Sequence, residues 1–294
     1  MTSMPSTVPT DTQSYRLPEL LHDIRLLDLL ELSGTTVQAS QLLNLSQPTV
    51  SRRYRALAND FGLNRDARVR KRCRFGTSTA MRLLRLGSRA HRLDAGVARV
   101  GTDLLHHHLL DGCGWLLPTP VRFRPVGEWA ELIHQGVLDA ALISGLELHA
   151  VKESETSGLR LLELGALNLA LAIPNSQQPA AVSAVLAPHR GLAPGLHKAL
   201  LNRGLKLKSI GNSCSTPARW IARLREAPLA IALDPWACRA GQWAQDLKPV
   251  ALSAALPSPL WLLLPHAEGL PPVLTHTLEH LQHHPALFRH GRDD

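Results

Sequence analysis

Aromatic residues are scarce in this 294-residue sequence, at 4%, although hydrophobic residues as a whole reach an ordinary 45%. A chain of this length can still bury a sizeable core in two or three domains, so composition excludes neither a binding protein nor an enzyme. Cysteine is scarcer: Cys73, Cys113, Cys214 and Cys238 stand far apart, and none forms a CxxC pair. That spacing excludes a dense disulfide framework and predicts reduced thiols in a cytoplasmic protein. No run of 18 apolar residues occurs, so no membrane-spanning helix is expected, and "LWLLLP" at 260–265 reads as a buried strand. The opening "MTSMPSTVPTDTQSY" lacks the apolar stretch of a secretory signal and predicts a disordered arm over 1–16.

Catalytic signatures are missing as well. Neither GxxxxGK[ST] nor GxGxxG occurs, so the usual phosphate loops are absent. "SCSTP" at 213–217 has no GxSxG frame and no assigned base, which weakens a Ser or Cys nucleophile. The consecutive His106, His107 and His108 point different ways on a helix and cannot all bind one metal, so they read as a surface polar tract. Asp139 reads as structural rather than as a general base. No metal, no cofactor and no catalytic residue is expected.

What the sequence does have is positive charge in one place. Residues 1–100 hold 16 Lys+Arg against 8 Asp+Glu, and the other 194 hold 16 of each, so the whole surplus of +8 lies in the first third. A surplus confined to one segment predicts a footprint for a polyanion. Within that third, Leu20, Ile24, Leu27 and Glu31 follow helical spacing up to Gly34, a second short helix fits 36–43, and "NLS" turns the chain. Ser46 is a good N-cap and Pro48 falls in the first turn of a third helix, where its missing N–H costs nothing. In that helix Val50, Tyr54, Leu57 and Phe61 form a buried stripe at spacings of four, three and four. The remaining side holds Gln47, Thr49, Arg52 and Arg53, which suit base edges in a major groove: Arg for guanine, Gln for adenine, Thr for a thymine methyl. The run 36–61 therefore predicts a helix-turn-helix. The stretch 65–74 follows it directly and predicts a wing on phosphates, with Arg68, Arg70, Lys71 and Arg72 as its grips and Ser46 beside them. A long helix is expected over about 78–97.

After about Arg99 the texture changes to short apolar runs alternating with helical stretches. Strands are expected at 98–102, 115–123, 138–144, 167–173, 205–210, 229–234 and 260–264, with helices at 127–136 and 216–227, so an α/β domain with a parallel sheet is predicted.

"GTTVQASQLLNLSQPTVSRRYRALANDFGL" resembles, without a gap, the N-terminal winged helix-turn-helix of LysR-type transcriptional regulators. Ala39, Leu43, "SQPTVSR" (46–52) and "ALANDFG" (56–62) carry the match, while "LIHQGVLDAALISG" (132–145) and "PLWLLLP" (259–265) extend it more weakly. The resemblance implies a winged helix-turn-helix over 17–77, a linker and dimerisation helix over 78–98, and a two-lobed periplasmic-binding-protein-like α/β effector domain over 99–294. Lobe I would comprise about 99–160 and 266–290, and lobe II about 161–265. It further implies double-stranded DNA and a small-molecule effector as partners, a homodimer or homotetramer, and contact with RNA polymerase. In such a cleft, polar residues at strand ends and helix starts point to Thr102, Gly127, Ser144, Ser213 and Cys214 as effector contacts. Two rivals stand beside this reading. One keeps the DNA head over a ligand-free assembly scaffold; the other is a DNA-processing enzyme such as a recombinase, which would need clustered carboxylates.

Overall fold

A computed structural model describes residues 11–63, 73, 75–149, 151–210, 216–239, 243–250, 256–267 and 269–288. The expected grips Arg68, Arg70, Lys71 and Arg72, the pocket candidates Ser213 and Cys214, and most of the expected arm lie outside the described residues.

The N-terminal part is helical. It contains α1 (His22–Ser33), α2 (Thr36–Leu43), α3 (Gln47–Asp60) and α4 (Thr79–Asp94). Gly34 ends α1 in the left-handed region at φ 70°, where a side chain would be strained. Thr35 caps α2 by accepting from Gln38 N. Asn44 then takes φ 52°, the only positive φ of a non-glycine among the described residues, and turns the chain from α2 into α3. Ile24, Leu27, Leu30, Ala39, Val50, Leu57, Phe75 and Met81 form this unit's own core.

The body is α/β. Its strands are β1 (Val100–Gly101), β2 (Ala140–Ser144), β3 (Leu159–Pro174), β4 (Ala184–Ala187), β5 (Leu207–Ser209), β6 (Leu229–Leu233), β7 (Leu247–Val250) and β8 (Leu256–Pro265). Its helices are α5 (Val126–His134), α6 (Gly145–Leu148), α7 (Pro194–Leu201), α8 (Pro217–Glu226) and α9 (Pro272–Gln282). The order across the sheet is β1-β2-β8-β3-β6-β4-β5, with β7 also on β3.

The sheet is mixed rather than parallel. β1 with β2, β4 with β5 and β4 with β6 are parallel, but β2 with β8 and β3 with β6, β7 and β8 are antiparallel. The cause is the pair of long strands: β3 and β8 run side by side in opposite directions and tie the two halves of the sheet together, with a bulge between Glu163 and Gly165. The strand expected at 115–123 does not form; only Leu116 makes an isolated bridge, to Ala98. Pro118 and Pro120 explain this, since neither can donate to a ladder. No described helix is long and apolar enough to cross a membrane.

The head does not stand clear of the body. Leu29 and Leu32 of α1 share one apolar cluster with Trp129, Ala130 and Ile133 of α5 and with Leu263 of β8. α4 runs between them with its Met81, Arg85, Ser88 and Arg92 side buried.

Candidate DNA-reading helix and effector cleft

The first turn of α3 is built as the sequence implies. Ser46 Oγ accepts from Thr49 N at 3.3 Å and lies 2.8 Å from Thr49 Oγ1. Ser46 is thus spent on the cap. Val50 and Leu57 are buried, and Tyr54 donates to the Phe75 carbonyl while meeting its ring edge-on. That stripe holds the opposite side of the helix outward, and Gln47, Arg52, Arg53 and Arg55 are exposed. Two of the expected readers already have partners. Gln47 Nε2 donates to Thr36 Oγ1 at 3.1 Å and to Ser51 Oγ at 3.2 Å, and Arg53 pairs with Asp23 of α1 at 3.3 Å. The Arg53 pair is solvent-exposed and contributes little to stability.

Part of the basic surplus has a different job. Arg85 and Arg92 of α4 and Arg99 before β1 are buried, and Arg89 is nearly so. Asp28 of α1 accepts from Arg85 Nε and Arg99 Nη1, both at 2.9 Å. Asp139 accepts from Arg92 Nη2 at 3.1 Å, Arg89 Nε at 3.2 Å and Arg99 N at 2.6 Å. Burial pulls on each guanidinium, and Asp28 and Asp139 more than restore Arg85 and Arg92; Arg99, repelled also by Arg92, ends below its ordinary value. These charges pack the head against the body rather than forming a surface for a polyanion.

A second contact was not legible in the sequence. Arg122 Nη1 donates to the Ser33 carbonyl, and Arg124 Nη2 donates to the Glu31 carbonyl at 3.0 Å and to the Leu32 carbonyl. These are the last carbonyls of α1, which have no partner within the helix and sit at its negative end. Arg124 also pairs with Glu128 at 3.3 Å and lies 5.4 Å over the Trp129 ring. The only outward sign is an alternation, Arg122-Phe123-Arg124, held between prolines.

Arg124 and Phe123 also border a cleft between the halves of the body, lined further by Asp103, His106, Trp129, Ser144, Glu147 and Ser258. The cleft is a cavity of about 20 Å³, room for one or two waters. Of the expected effector contacts, Ser144 is here: its Oγ caps α6 through Leu146 N and lies 2.9 Å from Ser258 Oγ. Thr102 and Gly127 do not line it. Thr102 is buried with no partner for its hydroxyl among the described residues, and Gly127 starts α5 against Glu155.

The histidine tract is not a surface feature. His106 is buried beside Asp103, with Nδ1 2.8 Å from Oδ1; burial lowers its pKa, but the Asp103 carboxylate raises it past its ordinary value. His108 is buried 3.6 Å from Asp234. His280 and His284 of the α9 end join it, and burial followed by the neighbouring histidines holds His284 down to about 4. Cys113 and Cys238 are free and buried, with burial pushing their thiols up to about 12 and about 11.

No family profile and no curated protein sequence matches the chain. Solved structures do. That of CbnR, a LysR family transcriptional regulator, superposes with a TM-score of 0.50 at 14% identity, over 89% of this chain and 98% of that one. The chain has the fold of a LysR-type regulator. Two further solved structures match with lower scores. One is Vibrio fischeri DarR in complex with DNA (TM-score 0.43, 14% identity, 89% of this chain and 97% of that one). The other is full-length LysG from Corynebacterium glutamicum with bound arginine (TM-score 0.40, 14% identity, 90% and 98%). In the LysR-type fold, α3 is the helix-turn-helix's second helix and the cleft lies within the α/β body.

Proposed function

We propose that this protein is a sequence-specific DNA-binding transcription regulator whose body receives a small effector. The observation that carries the reading is the exposed first half of α3. It is a capped helix end presenting Gln47, Thr49, Arg52 and Arg53, with its apolar stripe anchored behind. The division into a head over 17–77, a linker helix over 78–98 and an effector body over 99–294 belongs to this reading, as do the basic grips at 68–72. So do a cytoplasmic setting, action by binding rather than catalysis, and RNA polymerase as a further partner. A homo-oligomer has its own support: Ala80, Leu83, Gly87 and Ala90 make an exposed stripe on α4, nearly opposite its buried side.

Footprinting on genomic DNA tests the reading: dyad-symmetric protected sites are expected. Arg52→Ala should then cost about 1–3 kcal/mol at its cognate base pair and relax selection there. Equal weakening on every sequence would assign Arg52 to phosphate, and no binding in dilute buffer would end the proposal. The narrow cleft favours a second reading, a ligand-free scaffold under the same head. A metabolite screen by thermal shift separates the two, because only a bound effector raises Tm.

A further inference from the structure

The cleft meets α7 at its N-terminus, where unpaired backbone N–H groups make an anion the natural partner. Here that partner comes from the chain itself. Glu147 of α6 reaches across, with Oε2 accepting from Gly195 N at 2.9 Å and Oε1 from Leu196 N at 2.8 Å. Residue 195 must be glycine: a Cβ there would lie 1.9 Å from the Leu146 carbonyl oxygen, so the backbones of α6 and α7 touch. The other charges at the cleft are also engaged. Arg124 donates to the end of α1 and to Glu128, while Asp103 Oδ1 takes Leu105 N, His106 N and the His106 ring.

Resting on the reading that this cleft receives an effector, we infer that Glu147 occupies from within the chain the place a ligand carboxylate would take. It thereby makes the cleft specific for a neutral or positively charged small molecule. An incoming carboxylate would find the α7 N–H pair already filled and would face Glu147 and Asp103 across a desolvated gap. A cationic group meets the remaining lone pairs of Glu147 and Asp103, the latter shared with His106, and the ring of Phe123 as a wall, since Arg124 already lies over Trp129. Burial raises the pKa of Glu147 above its ordinary value, although the Gly195 and Leu196 N–H groups oppose this; a cation beside it would further favour its charged form.

Thermal shift on the full chain tests this with acetate and ethylammonium as probes, each against sodium chloride at equal ionic strength. Glu147→Ala leaves a carboxylate-sized space at α7, so acetate should give that variant a saturable rise of about 2 °C or more and leave the wild type unmoved. Glu147→Gln fills the space and should not respond to acetate. Ethylammonium should stabilise the wild type more than acetate does. Acetate stabilising the wild type as much as Glu147→Ala would overturn the inference, as would a folded Glu147→Ala that ignores acetate. If Glu147→Ala folds only when acetate is present, that supports it; failure to fold even then overturns it. No readout involves DNA, so a failure of the DNA-binding reading would leave these results standing.

Discussion

Asp28→Asn is the substitution that best tests how the head is held. The change keeps the shape of the side chain and removes its charge. Asp28 is fully buried, and its two oxygens are each 2.9 Å from a buried guanidinium, on Arg85 and on Arg99. At an effective dielectric of about 20, each such pair is worth roughly 4 kcal/mol of Coulomb energy, so about 8 kcal/mol is lost in total. Relief of the carboxylate's own desolvation returns several kcal/mol, which leaves a net cost of about 3–5 kcal/mol. Asp139 cannot take over, because it already serves Arg89, Arg92 and the Arg99 amide. A loss of that size is a large part of a typical stability of about 5–15 kcal/mol. Urea unfolding followed by circular dichroism would read it, and hydrogen exchange should show α1 losing protection first. Removing the charges together, as Asp28→Leu with Arg85→Met and Arg99→Leu, should recover most of the loss, because no buried charge is then left alone. A cost below about 1 kcal/mol for Asp28→Asn would refute the buried network and with it the docking of α1 on the body.

Other outcomes follow from the same coordinates. Ser46→Ala should destabilise α3 by about 0.5–2 kcal/mol through loss of its cap, read by thermal melting, and should weaken DNA binding on all sequences alike. Arg122→Gln with Arg124→Gln should free the last carbonyls of α1; faster hydrogen exchange at 31–34 with an intact body is expected, and unchanged exchange would count against the clamp. His284 has a folded pKa depressed from 6.5 to about 4, so the unfolded chain takes up its proton first. Its contribution to stability is therefore complete above about pH 6.5 and is lost as pH falls toward about 4. His284→Gln should flatten that part of the stability-pH curve, and a curve parallel to the wild type would argue against it. His284 is half-exposed, so the effect should be modest.

The helix-turn-helix was legible because each of its signals is local: Gly34 as a stop, Ser46 as a cap, Pro48 in a first turn, and an apolar stripe of period 3.6. The body was legible only as alternating elements. The short β4 and β7 carry too little pattern to stand out, and the direction of β3 and β8 depends on which strand each meets.

The sequence alone determined which end carries the basic surplus, where α1 stops, where α2 and α3 begin and stop, and which face of α3 is left outside, since capping, turn and periodicity act within a few residues. Only the tertiary structure decided how that surplus is divided. Arg85, Arg92 and Arg99 go to Asp28 and Asp139, partners up to 71 residues away, while Arg52 stays in solvent. The same holds for Glu147 on α7 and Arg124 on α1, because a buried charge takes the partner that folding brings within about 3 Å, and nothing in the local sequence names that partner.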